Sequence, residues 1–249
     1  MGTLVIEPVP CLRDNYAYLV YDADSTDAYL VDPSEPAPPE AALARGKLTL
    51  RGILATHHHP DHVGGIPELA ERWRSHLSFV AGFSGDRGRI PGQTVFVDAP
   101  ADRFLRTDIK VAGRSLVVRH IPGHTRGAMA LGLSSGDGEP TDVFTGDTLF
   151  AAGCGRLFEG TPAEMFHSLA ALTSLPPATR LWFGHEYTAS NLHFAATVEP
   201  DNPAIAERRA GLLDCTTPTT VALERATNPF VRAASVEVLA ARRAAKDKF

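Results

Sequence analysis

Cysteine is scarce in this chain. Cys11, Cys154 and Cys215 are three among 249 residues, too few and too dispersed for a disulfide framework, and no Cys-x-x-Cys pair offers a thiolate metal site. A reducing compartment fits that usage. No apolar run approaches the ~18 residues that a membrane-spanning helix needs. The opening MGTLVIEPVP has no basic stretch ahead of an apolar one, and Ile6 stands where myristoylation wants Ser or Thr, so neither export nor lipidation is signalled. Cations are not in excess either: 24 Lys+Arg against 29 Asp+Glu give a net charge of -5, which argues against a nucleic-acid surface over the whole protein. Gly-x-Ser-x-Gly and Ser-x-x-Lys are both missing, so a serine nucleophile lacks its usual setting. These absences lead us to expect a soluble cytoplasmic monomer with neither nucleic acid nor membrane as partner.

What is present is an ordinary globular mixture, 44% hydrophobic and 21% charged, without repeats or low-complexity tracts. Length predicts one large domain with a smaller appendage. β-Branched and aromatic residues predict strands at 4–9, 16–21, 28–31, 52–55, 77–81, 94–97, 116–121, 128–133 and 143–145. Helices are expected at 38–45, 66–75 and 162–172. The last opens with Thr161 as N-cap, Pro162 at the first helical position and Glu164 three residues beyond the cap. Past Gly184 the texture changes to helical spacing at 189–198, 204–213, 219–225 and 236–246, punctuated by Pro200, Pro203, Pro218 and Pro229.

The most informative run is Thr56-His57-His58-His59-Pro60-Asp61-His62-Val63-Gly64-Gly65, directly after a predicted strand. Composition alone would yield His-x-His-x-Asp-His in about one in a thousand such chains, so chance explains it poorly. Imidazole and carboxylate suit zinc and iron. In an extended segment alternate side chains share a face, so His57 and His59 can grip one ion. Asp61 and His62, beyond the turn at Pro60, can face a second. Further candidates stand at strand ends, each preceded by glycine: Gly123-His124, Gly146-Asp147 and Gly184-His185. His58 is read as packing against or supporting its neighbours, while His76, His120, His167 and His193 are read as strand, helix or surface residues.

With those residues in place, the chain resembles the metallo-β-lactamase superfamily and, within it, the glyoxalase II family of hydroxyacylglutathione hydrolases. The closer resemblance rests on Asp14-Asn15-Tyr16, Gly146-Asp147-Thr148-Leu149-Phe150, the loop from Gly153-Cys154-Gly155-Arg156 through Leu157-Phe158-Glu159-Gly160-Thr161, Gly184-His185-Glu186-Tyr187-Thr188, Asn228-Pro229-Phe230 and Lys246-Asp247-Lys248-Phe249. It implies an α/β fold, a four-layer αββα sandwich over residues 1–185, with a helical substrate-binding domain over 186–249. It further implies two divalent metals, zinc first and iron or manganese as alternatives. His57, His59 and His124 would hold one, Asp61, His62 and His185 the other, and Asp147 would bridge them. Asp61 and Asp147 are the catalytic candidates. Arg156, Phe158, His185, Tyr187, Arg243 and Lys246 are the candidates for contact with a glutathione thioester. Spacing places Arg243 and Lys246 on one side of the last helix, and their cations suit a substrate with two carboxylates.

The implied reaction is hydrolysis of S-D-lactoylglutathione to glutathione and D-lactate, the last step of methylglyoxal degradation, with water activated by the two metals. Two departures from the family pattern stand out. Arg156 and Phe158 occupy positions where some members carry Lys and Tyr, and Gly127-Ala128 replaces a usual Gly-His, removing a supporting imidazole. Rival readings are a mononuclear-iron persulfide dioxygenase, a β-lactamase that would leave the helical end without a role, a Cys154-dependent hydrolase and a binding module without turnover.

Overall fold

A computed structural model of the chain describes residues 2–136 and 138–249. Six strands form the first sheet, in the order β1 (Leu4–Cys11), β2 (Asn15–Asp22), β3 (Asp27–Val31), β4 (Thr49–Leu54), β5 (Phe79–Phe83) and β6 (Val95–Val97). The first three run antiparallel and the rest parallel. Next come β7 (Leu105–Val111), β8 (Arg114–His120), β9 (Met129–Ser134) and β10 (Asp142–Gly146). A short ribbon follows, β11 (Leu149–Phe150) against β12 (Gly153–Cys154). Finally β13 (Arg180–Phe183) and β14 (Thr219–Thr220) complete a second sheet ordered β14-β13-β10-β9-β8-β7.

Strand alternation explains the layering. In β2, Tyr18 and Val20 meet Leu116, Val118, Leu131 and Phe144 of the second sheet, while Ala17 and Leu19 face the opposite way. That outer face is covered by α1 (Ala37–Gly46) and α3 (Ile66–Arg72), through Leu43, Ile66 and Leu69, with the short α2 (Pro60–Val63) between them in the chain. The second sheet is covered by α4 (Pro162–Thr173) through Met165, Leu169 and Leu172. Two sheets packed face to face with helices outside both make the αββα sandwich that the sequence led us to expect.

The helical end comprises α5 (Thr188–Val198), α6 (Pro203–Ala210), α7 (Val221–Thr227) and α8 (Val236–Lys246). Its buried Phe194, Val221, Phe230 and Leu239 join Val143, Leu149 and Leu181 in one apolar cluster. The helices thus share a core with the second sheet.

Local deviations from the sequence reading have physical causes. Strand β7 went unpredicted because Arg106, Asp108 and Lys110 alternate along it; it is an edge strand with charged residues on its open side. The helix expected from 66 stops at Arg72, and the one expected from 204 stops at Ala210, where Gly211 follows. Thr219 and Thr220 do not start a helix: they pair with Leu181 and Arg180, and the Thr220 hydroxyl then caps α7 by accepting from Leu223 N at 3.2 Å. Among the described residues no helix is long and apolar enough to cross a membrane.

Candidate functional site

The ligand-rich run sits where β4 ends. Thr56 is tied to the end of β3: its N–H and hydroxyl both donate to Asp32, at 2.8 and 2.5 Å. Asp32 also accepts from His62 Nδ1 at 3.0 Å, and the Thr56 hydroxyl stands 3.0 Å from His57 Nδ1. One carboxylate therefore orients two imidazoles, turning the Nε2 of each inward. His59 is extended and caps α2, whose single turn places Asp61 and His62 beside it.

The later candidates arrive from the second sheet. Gly146, at φ +48°, turns the chain at the end of β10 so that Asp147 points back toward the cluster; a Cβ there would also collide with the Thr56 hydroxyl at 2.4 Å. Gly184 is needed for close approach, since a Cβ would fall 2.3 Å from Asp147 Oδ1. His124 donates from Nδ1 to the Arg156 carbonyl at 2.9 Å, and its Nε2 stands 2.9 Å from His59 Nδ1. His185 donates from Nδ1 to Asp14 at 2.9 Å, and Asn15 donates to the Asp61 carboxylate at 3.2 Å. The Asp14-Asn15-Tyr16 motif is held against this ligand loop by backbone bonds from Tyr16 N to Gly184 O and from Glu186 N to Asp14 O.

Tertiary structure thus gathers six of the seven residues into two triads, His57, His59 and His124, and Asp61, His62 and His185, with donor atoms in each within 4.8 Å of one another. Asp147 lies between them: Oδ1 is 3.2 Å from His62 Nε2, and Oδ2 is 3.3 Å from His185 Nε2 and 3.5 Å from His124 Nε2. Asp32, His57 and His62 form a third close group, but the Asp32 oxygens are already occupied by Thr56 and His62 Nδ1, which makes it an orienting residue.

Charge in the cluster follows from burial and pairing. Burial drives His57 well below the ordinary imidazole value, His59 down to about 4, and His124 down as well, so these three are neutral at pH 7. Burial also opposes charge on His62 and His185, but Asp147 and its fellow carboxylates outweigh it, holding His62 well above the usual value and His185 up to about 10. Burial works against ionised Asp147 too, and His62 and His185 overcome it. A hydrogen bond from His185 holds the Asp61 carboxyl below the usual range. Protons on two imidazoles therefore balance carboxylates whose other natural counterion is a cation.

The residues fit a divalent metal. Among the described residues His57 Nε2 is buried without a hydrogen-bond partner, and His62 Nε2 and Asp147 Oδ1 have none beyond their mutual ion-pair contact at 3.2 Å, an arrangement that costs free energy unless another group satisfies them. All donors are imidazole nitrogens or carboxylate oxygens, the set favoured by zinc, iron and manganese.

A cavity of about 690 Å³ opens from this cluster toward the helical end. Phe158, 65% exposed, sets its ring 5.6 Å from His59 and 5.4 Å from His124. Tyr187 stacks flat on His185, with ring centres 4.8 Å apart. Arg243 is buried, donating to the Cys154 carbonyl at 2.9 Å and to Asp247 at 2.8 Å. Lys246 Nζ donates to Ser190 O and Oγ at 3.0 and 2.8 Å. The exposed Arg156 guanidinium lies 3.6 Å from Asp247. His185 lines the same cavity.

Several site residues were missed by the sequence reading. Asp32 carries no motif of its own, although it directly follows a strand, as the later ligand candidates do, and Thr56 headed the quoted histidine run without an assigned role. Asp14 and Asn15 stood in a quoted motif without an assigned role. His58 is held by Asp86 at 3.2 Å and Glu159 at 3.5 Å, behind the ligands. Ala128 packs in the apolar layer beneath α4, away from the cleft.

A His/Asp metal cluster at the strand ends of an αββα sandwich defines the class of metallo-β-lactamase-like metalloproteins, and residues 12–185 match the model of the metallo-beta-lactamase superfamily. Residues 186–249 match that of the hydroxyacylglutathione hydrolase C-terminus. The chain is 47% identical over 232 residues to a hydroxyacylglutathione hydrolase of Synechococcus sp. (strain JA-3-3Ab), covering 90% of this chain and 86% of the relative. It is 46% identical over 237 residues to one from Thermosynechococcus vestitus, covering 92% and 88%. Among solved structures, ETHE1 from Myxococcus xanthus shares the fold at a TM-score of 0.68 and 23% identity, over 96% of this chain and 90% of that one. TTHA1623 in a di-iron-bound form aligns at a TM-score of 0.57 and 29% identity, over 90% and 99%. The chain belongs to the hydroxyacylglutathione hydrolase family of the metallo-β-lactamase superfamily.

Proposed function

We propose that the protein hydrolyses the thioester of S-(2-hydroxyacyl)glutathione, S-D-lactoylglutathione in particular. Water adds to the acyl carbon, the C–S bond breaks, and the products are glutathione and a 2-hydroxy acid, D-lactate for that substrate. The family relationship and the names of the curated relatives support this reading. The single observation that carries it is the meeting, in one cleft, of the Asp147-joined triads and of Arg243 and Lys246 from the helical end.

In this reading His57, His59 and His124 would hold one divalent ion and Asp61, His62 and His185 a second, with Asp147 available to both. When bound, such ions supply Lewis acidity, which acidifies water and polarises a carbonyl oxygen. Asp32, Asp14 and the Arg156 carbonyl keep the ligand imidazoles aimed. Asp61, held by Asn15, presents an ionised carboxylate that orients the attacking water. Arg243, Lys246 and Arg156 attract the carboxylates of the glutathione moiety. Tyr187 and Phe158 flank it with flat apolar surface, and Phe158 offers no hydroxyl.

Zinc is the proposed metal, with iron or manganese compatible with the same donors; the di-iron form of TTHA1623 supports a two-ion reading. We also place the protein in the cytoplasm as a monomer. The deciding experiment follows free thiol from S-D-lactoylglutathione alongside metal analysis. Release that stops on chelation and returns with added metal is the expected result. Oxygen uptake with glutathione persulfide and no thioester cleavage would instead select the dioxygenase reading.

A further inference from the structure

The helical end grips one short stretch of backbone, residues 150–154, from several sides. Asn228 Nδ2 donates to the carbonyls of Phe150 and Gly153, at 3.2 and 2.9 Å. Glu224 accepts from Ala152 N at 2.8 Å, Asn191 donates to Ala151 O at 3.1 Å, and Arg243 donates to Cys154 O at 2.9 Å. Glu224 and Asn228 are themselves wholly buried and joined by a bond of 2.8 Å. The second Glu224 oxygen is satisfied by Arg208 at 2.8 Å and Thr219 at 2.6 Å, so this buried carboxylate has a cationic partner and full hydrogen bonding. Ala152 is in the left-handed region, at φ +54°, a conformation that a residue with a side chain keeps only where its surroundings impose it.

This strap connects Asp147 to the segment that packs on His124. It starts just after Asp147, and beyond it Gly155 lies so close that a Cβ would fall 2.0 Å from Asp147 O and 2.8 Å from His124 Nδ1. Arg156 comes next, and its carbonyl fixes the His124 ring. A shift of the strap therefore moves the backbone of Asp147 and the acceptor that orients His124 together.

We propose that Asn228 and Glu224 are positioning residues for the metal centre, holding residues 150–154 so that Asp147 and His124 keep their aim. The helical end thereby shapes the metal site as well as the substrate cleft. This inference rests on reading the His/Asp cluster as a metal site, and it does not depend on which thioester is cleaved.

The test loads full-length protein with cobalt(II), whose absorption spectrum reports ligand geometry, and titrates it with a competing chelator. Asn228→Ala should lose cobalt about ten- to a hundredfold more readily than the parent, the size typical of removing groups that orient ligands, and its spectrum should change. Val221→Ala, at the start of α7, which ends at Thr227 just before Asn228, is bonded to nothing in the strap and should keep the parent's cobalt affinity and spectrum at a comparable loss of thermal stability. Should Asn228→Ala fail to fold, Asn191→Ala removes only the bond to Ala151 O and is read in the same way. A parent-like affinity and spectrum in the folded strap variant, or equal weakening in Val221→Ala, would overturn the proposal. Neither readout needs substrate, so failure of the thioesterase reading is seen separately, as absent thiol release from protein that binds cobalt normally.

Discussion

At the scale of single residues, Asp147 is the pivot, because its carboxylate reaches His62 and His185 of one triad and His124 of the other. Replacing it by alanine removes the shared carboxylate and leaves His62 and His185 without their main counter-charge. Asp147→Ala should therefore lower bound metal per chain and reduce kcat/KM by more than the about hundredfold seen for outer-shell partners, measured by metal analysis and thiol release. Lys246 gives a pH prediction. Burial, with the neighbouring Arg243 guanidinium, pushes its ammonium down to about 8, so its charge is present below that pH and lost above it. KM for the anionic substrate should rise as pH passes 8, with a smaller change in kcat, and Lys246→Arg, which stays charged, should flatten the rise. The ligand types were legible because His57, His59, Asp61 and His62 crowd one turn. Asp32 was not, since an aspartate at a strand end is common and its task depends on where His62 falls.

Among the elements, α4 was read correctly from its first residues. The Thr161 hydroxyl accepts from Glu164 N at 3.2 Å, and Glu164 accepts from Thr161 N at 2.7 Å, the reciprocal pair that the spacing implies. Thr161→Ala should cost about 1 kcal/mol, seen as a fall in Tm of about 2–4 °C for a chain of this size. Elements whose cues are weak were misread for the same reason in reverse. β7 carries charge on alternate residues and is held in the sheet by β8, and Thr219 becomes strand only because β13 lies alongside. Local propensity of a few residues is small beside a row of backbone bonds to a neighbour that the sequence does not name.

For the molecule as a whole, the shared apolar cluster makes the helical end part of the fold's stability. Phe194, Val221, Phe230 and Leu239 cover Leu149, Leu181 and the inner side of α4, and Asn228 and Glu224 are buried against the strap. A chain ending at residue 185 would expose that apolar surface and leave the strap's polar groups without partners. It should lack a cooperative thermal transition and bind an apolar dye, as measured by calorimetry and fluorescence. A sharp transition in that fragment would show that the sandwich stands without the helical end.

The sequence by itself determined the donor chemistry, the alternation that makes each strand two-faced and the helical character of the last quarter, because each is carried by neighbours along the chain. Only tertiary structure decided that His124, Asp147 and His185 meet the first cluster, that Asp32 aims two imidazoles, and that Asn228 holds a loop some 75 residues earlier in the chain. Those contacts join segments far apart in sequence, and they form only when the burial of two sheets and their helices outweighs the entropy lost in closing the long loops between them.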